Sequence, residues 1–403
     1  MMAKLGALLN ETGGSIKTGP FGTALKAAEY SQNGVPLISV GEIGDGKLSI
    51  GKKTPRVSEE TTERLSEYLL QRGDVVIGRK GAVERSALIG EGQEGFFLGS
   101  DGIRVRFGDS INSTFMAYQF RSAVVRKWLI AHASGTTMAS MNQTILSKLP
   151  ILVPPSQVQR GIAEVLGALD DKIAANERLS GAVQDLLQER FALLRLDSFT
   201  GDGSFLTVSD LFEVNPRTSQ RLAGQAPYLG MKDLPDSSMT VGSWSTREAK
   251  SGARFINGDV LLARITPCLE NGKAGYVDFL ENAEVGVGST EFIVFRARSP
   301  LLSAVPFFLT KSERFRDFAI KHMQGTSGRQ RLAAADVADY RLAKVNDESL
   351  NRFGELSLNL LKRVKTAVSE SRALARTRDE LLPLLMSGKT TVKDAEAVVS
   401  DAV

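Results

Sequence analysis

Two long stretches of the chain carry apolar residues at alternating steps of four and three. The first reads Ile162, Leu166, Leu169, Ile173, Asn176, Ser180, Val183, Leu187, Arg190 and Leu194. The second reads Leu350, Phe353, Ser357, Leu360, Val364, Ala367, Ser371, Leu374, Arg378, Leu381 and Leu385. This spacing predicts two long helices packed along their length, 156–197 and 346–390. Their contact residues are Ile162, Leu166, Leu169, Ile173, Val183, Leu187, Leu360, Val364, Leu374 and Leu381. Pro154, Pro155 and Ser156 form a start signal for the first helix. About 40 residues at 1.5 Å each reach roughly 60 Å, more than a small domain is wide, so each helix is expected to act as a spacer. The alternative is a pair of core helices within one large helical domain. Asn176 and Ser180 either set the register of the pair or face solvent where the stripe drifts toward Leu179 and Leu186.

The sequence before each helix has a different texture. VVIG, IRVRF and FIVF are short runs of β-branched and aromatic residues bounded by Gly, Asp or Asn, which reads as strands and turns. Helical material follows in FMAYQFRSAVVRKWLIAHA and PFFLTKSERFRDFAIKHM. These regions, 1–155 and 198–345, are therefore mixed α+β. They also repeat each other. PLISVGEI at Pro36 answers to PYLGMKDL at Pro227, and GDVVIGRKG at Gly73 to GDVLLARIT at Gly258. GSDGIRVRF at Gly99 answers to GSTEFIVFR at Gly288, and HASGTTMAS at His132 to HMQGTSGRQ at His322. Four collinear matches mark a duplicated unit with an internal pseudo-two-fold relation. The acidic stretch 391–403 is expected to be a disordered tail.

Composition adds modest constraints. With 403 residues, 42% hydrophobic and 24% charged, the chain is long enough for two or three folded domains. No apolar run reaches the roughly 18 residues that cross a bilayer, so no membrane role is expected. MMAKLGALLNETGG does not read as a secretory signal, and Cys268 as the single cysteine fits a reducing cytoplasm. The net charge of +4 gains meaning from its distribution: 18 Lys+Arg against 14 Asp+Glu in 1–155 and 18 against 16 in 198–345, with the helices slightly acidic. That is compatible with phosphate neutralisation, and equally with an ordinary mixed surface.

Catalytic motifs are weak. Gly41, Gly46 and Lys47 match most of a phosphate-binding loop, but Leu48 stands where a magnesium-binding hydroxyl is needed and no helix can follow. A turn between strands fits better. GTSGR at 325–329 lacks the frame of a nucleophile elbow, the two histidines offer no metal-ligand spacing, and no G-x-G-x-x-G follows a strand. The chain is read as non-catalytic, with no metal site.

Several segments together resemble one family. IKTGPFGTALKAAEYSQNGVPLISVGEI, RITPCLENGKAGYVDF, PPSQVQRGIAEVLGALDDKIAANERL and RTRDELLPLLMSGK are similar to stretches of the specificity (S) subunits of type I restriction–modification enzymes. The resemblance implies two target recognition domains separated by two long helices in an antiparallel coiled coil. It also implies that each domain reads one half of an asymmetric bipartite site on double-stranded DNA. Methyltransferase (M) subunits, two in number and binding S-adenosylmethionine, would dock on the helices. Restriction (R) subunits using ATP and magnesium would join them, leaving this chain without a cofactor. The rival reading is a coiled-coil adaptor that assembles partner proteins without reading DNA.

Phosphate anchoring needs Lys, Arg and hydroxyls, and base reading needs Arg, Lys, Asn and Gln in loops. The candidates in the first unit are Lys17, Lys26, Arg79, Lys80, Thr136, Ser140, Asn142 and Gln143. In the second they are Arg217, Lys232, Arg264, Lys273, Thr326, Arg329, Gln330 and Arg331. Arg264 and Lys273 have a competing role as turn-holding residues, and His132 and His322 suit packing better than reading.

Overall fold

The computed structural model describes residues 1–400 apart from 52, 136, 202, 219–223, 249–250 and 327. The chain divides into two compact units, Met1–Ile173 with Arg372–Val403, and Ala174–Ser371. Both are mixed α/β.

In the first unit a five-stranded sheet runs Ser15–Thr18, Gly102–Arg106, Val75–Gly78, Ser86–Leu88, Asp45–Gly46. A four-stranded sheet beside it contains Val35–Ile38 and Phe97–Leu98, paired in parallel. In the second unit a four-stranded sheet runs Phe212–Val214, Phe292–Ala297, Val260–Ala263, Ala274–Tyr276. Its companion sheet holds Gln225–Leu229 parallel to Gly286–Gly288. Each unit is closed by a two-stranded ladder, Met2–Lys4 with Pro150–Leu152 and Phe205–Thr207 with Arg341–Ala343. VVIG and FIVF are buried throughout, as two-sided sheets require, and IRVRF is buried except at the half-buried Arg106. The Gly41–Leu48 segment contains a turn and the short strand Asp45–Gly46, and the next element is the strand Arg56–Val57 rather than a helix.

The repeat extends to buried chemistry. Gly73 and Gly258 sit at φ 88° and 90°, a left-handed turn that suits glycine. Each is followed by a buried aspartate. Asp74 accepts a two-pronged pair of hydrogen bonds from Arg106 (2.7 and 2.7 Å), and Asp259 accepts the same from Arg296 (2.9 and 2.7 Å). This pairing corrects one sequence match. The ladders set Val105 opposite Val75 and Phe295 opposite Val260. Gly99 N–H bonds to Ile38 O and Ser289 N–H to Leu229 O, so Gly99 corresponds to Ser289 and not to Gly288. A one-residue slip would turn each arginine to the opposite face, away from its aspartate.

The helical stretch in each unit is broken at a serine. Ser113–Arg121 and Ala123–His132 meet at Ser122, and Val305–Lys311 and Glu313–Lys321 at Ser312. The two long helices span Ser156–Leu194 and Asp347–Ser387. Arg195, at φ 54°, ends the first.

The sequence reading expects spacer helices separate from the globular parts, whereas in each unit the helices share a core with them. Ile162, Leu166 and Leu169 share a core with Leu374, Leu381 and Leu385 and with Leu5, Phe115 and Phe120 of the first unit. Val183, Leu187 and Phe191 share another with Leu350, Phe353, Leu361 and Val364 and with Phe308 of the second. The reason is composition: each helix presents a second apolar face that the neighbouring sheet and short helices cover. Ile173 and Leu360 are half-buried, while the other predicted contact residues are buried. The tail also differs from expectation. Val392–Ser400 is a helix, capped by Thr391 through the Asp394 N–H, with Ala395 and Val399 buried in the first core. Its apolar spacing at 392, 395 and 399 outweighs its acidic character.

Polar groups mark the pairing within each unit. In the second, the buried Asn176 amide donates to Ala367 O (3.2 Å), Glu370 (2.7 Å) and Ser371 (3.2 Å), so its register role prevails over solvent exposure. In the first, Asp170 accepts from Tyr118 (2.7 Å), Arg121 (2.7 Å) and Arg378. Burial pushes its carboxyl up, but the two guanidiniums outweigh that and hold it below the usual range. A carboxyl lowered in the folded state contributes stability that is present above its unfolded value and fades as pH falls through the folded one. Asp170→Asn should therefore lose about 2–4 kcal/mol at pH 7 in urea denaturation, less than a fully buried pair because the carboxylate keeps 31% exposure. The variant should also lose less further stability between pH 5 and pH 2 than the wild type. A loss below about 0.5 kcal/mol would show that Asp170 does not anchor the helix pair.

Candidate nucleic-acid interface

Some of the predicted residues gather near one arginine in each unit: Lys80 and Ser140 by Arg79, and Gln330 and Arg331 by Arg264. In the first unit, the strand Val75–Gly78 runs out into Arg79, Lys80 and Gly81. The loop after His132 closes through reciprocal bonds between Ser134 and Ser140 (2.8 and 2.7 Å). It joins the strand end by Gly81 N–H to Ala139 O and Met141 N–H to Arg79 O, both 2.8 Å, while Arg79 N–H bonds to Asp101 O (2.8 Å). The Arg79 guanidinium donates to Ser100 O (3.0 Å) and lies 4.1 Å from the Phe21 ring centroid, with its Nε buried and unpartnered.

The second unit repeats this frame. Arg264 N–H bonds to Glu291 O (3.0 Å), Leu332 N–H to Arg264 O (2.9 Å), and Gln324 and Arg331 exchange backbone bonds (3.0 and 2.8 Å). Arg264 Nε is again buried without a partner. Arg79 and Arg264 are thus structural equivalents.

Other candidates separate by what holds them. Lys17 pairs with Glu67 and lies over Tyr68, and it draws the Glu67 carboxyl below its usual range. Lys80 pairs with Asp101 (3.2 Å). Arg331 grips Glu291 through Nε and Nη2 (2.8–3.0 Å), which lowers the Glu291 carboxyl. Lys273 donates to Leu234 O (2.7 Å) and sits 3.6 Å from Asp236, the turn-holding role foreseen for it. Gln143 donates to Thr18 (3.0 Å), and Asn142 caps the short helix Gln143–Leu146. Gln330 exchanges bonds with Thr266. Lys26, Arg217, Lys232, Thr326 and Arg329 are exposed, and Thr136 lies outside the described residues.

The sequence reading did not single out Phe21. Phe21, 52% exposed in a Gly-Pro-Phe-Gly turn, covers the face of Arg79. An aromatic flanked by glycine and proline in a loop was the available signal.

The repeated histidines have a local task. His132 Nδ1–H donates to Trp128 O (2.9 Å) and the rings stack at 4.0 Å; His322 Nδ1–H donates to Phe318 O (2.8 Å) with the rings 3.9 Å apart. Each ends a helix and starts the loop.

Residues 19–184 match the family model described as the type I restriction modification DNA specificity domain. The EcoAI type I specificity subunit of Escherichia coli is 31% identical over 134 residues, 31% of this chain and 22% of that subunit. Over this region the chain is similar to type I specificity subunits. The EcoEI specificity subunit of Escherichia coli is 26% identical over 206 residues, 49% of this chain and 34% of that subunit. The matches therefore span well under half the length of these relatives. The S subunit of a type I restriction–modification system from M. genitalium shares the fold, with a TM-score of 0.56 and 15% identity over 96% of this chain and 95% of that one. Among the described residues no helix is long and apolar enough to cross a membrane.

If the histidines are helix stops, His132→Ala and His322→Ala should each lower stability by about 0.5–1.5 kcal/mol in urea denaturation, the worth of one hydrogen bond and its stack. Unchanged midpoints in both variants would contradict that role.

Proposed function

We propose that the chain is a type I specificity subunit that reads an asymmetric, bipartite site on double-stranded DNA, one half with each unit. The observation that carries the proposal is the Arg79 and Arg264 frame. The same buried-Nε arginine is held at the same strand end, beside the same loop, in both units. Around it the residues differ. Phe21 and Lys80 accompany Arg79, whereas Arg217, Arg329 and Arg331 belong to the unit of Arg264. A shared frame with unlike side chains suits unlike half-sites.

In this reading the chain performs no chemistry. Methyltransferase (M) subunits, two in number, dock on the long helices and bind S-adenosylmethionine. Restriction (R) subunits with ATP and magnesium complete the assembly in the cytoplasm. Exposed Leu179, Leu186 and Leu193 recur every seven residues on the first long helix and provide an apolar stripe for such a partner. Two readers on one chain also gain by effective concentration, so two weak half-sites make one tight site.

Fluorescence anisotropy of the full chain, alone and with its methyltransferase, on duplexes carrying the genomically methylated site or random sequence tests this. Tight binding to the methylated site that weakens steeply with salt is expected. Absent or salt-insensitive binding would leave the coiled-coil adaptor as the reading. Arg329→Ala should cost about 1–3 kcal/mol and relax one base position if the exposed guanidinium reads a guanine edge. Equal weakening on all sequences would exclude that role.

A further inference from the structure

The second unit contains a cleft of about 540 Å³ beside Arg264. It lies between the turn Asn215–Thr218 and the strand Ala253–Phe255, which is an edge strand of its sheet. Arg217, Arg254 and Arg264 line it, together with Asn215, Thr218 and Thr290, and among the described residues no carboxylate does.

The local backbone explains the shape. Asn215, at φ 53°, donates its N–H to Val294 O (2.8 Å) and accepts the Val294 N–H on Oδ1 (2.9 Å). This ends the strand Phe212–Val214 and carries Pro216–Thr218 across the sheet end. On the other wall Gly252 has φ 137°, and a Cβ there would stand 2.1 Å from Gly288 O. Only glycine lets the edge strand enter so closely.

Within this cleft two buried donors have no partner, Arg264 Nε and Thr218 Oγ1. Glu291 is the acid that touches the field of Arg264, but it is held by Arg331 through three short contacts. Guanidinium groups are donors only, so the complementary ligand is one whose exposed atoms are all acceptors. A base edge mixes donors with acceptors, while a phosphodiester offers two charged oxygens that fit the guanidinium fork.

We propose that this cleft is the seat of one DNA backbone phosphodiester, held by Arg217, Arg254 and Arg264. The inference rests on the DNA-reading proposal and refines it: these arginines anchor the duplex, and sequence choice is left to the loop that carries Arg329. In the first unit Phe21 covers the equivalent Arg79 guanidinium, and Lys17, at the position of Asn215, is tied to Glu67.

The test compares wild type, Arg217→Ala, Arg254→Ala and Arg254→Lys as full chains in complex with the methyltransferase, titrated with methylated-site and random duplexes across a salt series. Each alanine variant should weaken binding to both duplexes by the same factor, about threefold to tenfold at low salt, and flatten the log–log salt slope by about 0.9, one phosphate's worth. Arg254→Lys should restore most of the slope. Circular dichroism melts check that each variant is folded, and Arg217→Ala, at an exposed side chain, stands if Arg254→Ala does not fold. If wild-type binding is absent or salt-insensitive, the DNA-reading proposal itself fails. If wild type behaves as expected but the variants keep its slope, or lose preference at one base position, the phosphate seat alone is refuted. Thermal stabilisation by a nucleoside triphosphate that disappears in Arg217→Ala, with duplex binding unaltered, would instead identify a small-molecule site.

Discussion

Pairing between the two long helices within each unit is the constraint on which the rest depends, and polar groups in an apolar seam fix it. Leucines alone would allow a slip by one heptad at small cost, because one leucine replaces another. Asp170 between Arg121 and Arg378 does not permit that, nor does Asn176 against Ala367 and Ser371. Moving either would strand a buried polar or charged group, at a cost of several kcal/mol. Asp170 reaches further than the seam, since Tyr118 and Arg121 belong to the short helix Ser113–Arg121 over the sheet. The helix pair and the sheet of the first unit are thus locked by one carboxylate.

A second constraint operates in the sheets. Asp74 with Arg106 and Asp259 with Arg296 sit in equivalent places and hold the strand that carries the loop arginine one residue after its end. That strand ends at Gly78 or Ala263, and Arg79 or Arg264 follows directly. The loop arginines are therefore presented by rigid, buried structure, while the residues around them differ freely between the units. In the proposed reading, affinity and architecture come from the shared parts and choice of sequence from the unshared ones.

Much of this was legible before any coordinates. The heptads, the duplicated motifs and the strand runs correspond to observed elements, because burial imposes periodicity on the sequence. Pairing of side chains was not legible. Nothing in the sequence tells that Lys17 meets Glu67, or that Arg331 meets Glu291, since those contacts depend on chain segments 50 and 40 residues apart. The one-residue offset at Gly99 and Ser289 was hidden for the same reason: the letters Gly-Ser repeat, but the ladder decides. The ordered segment Val392–Ser400 was misread because its acidic character obscured an apolar face with a place to pack.

The proposed account requires two readers whose separation is set by the helices. Selection of duplexes from a random-sequence pool by the chain in complex with its methyltransferase measures that most directly. The account predicts two blocks of specified bases separated by unspecified bases of constant number. A single contiguous block, or two blocks at variable separation, would contradict it.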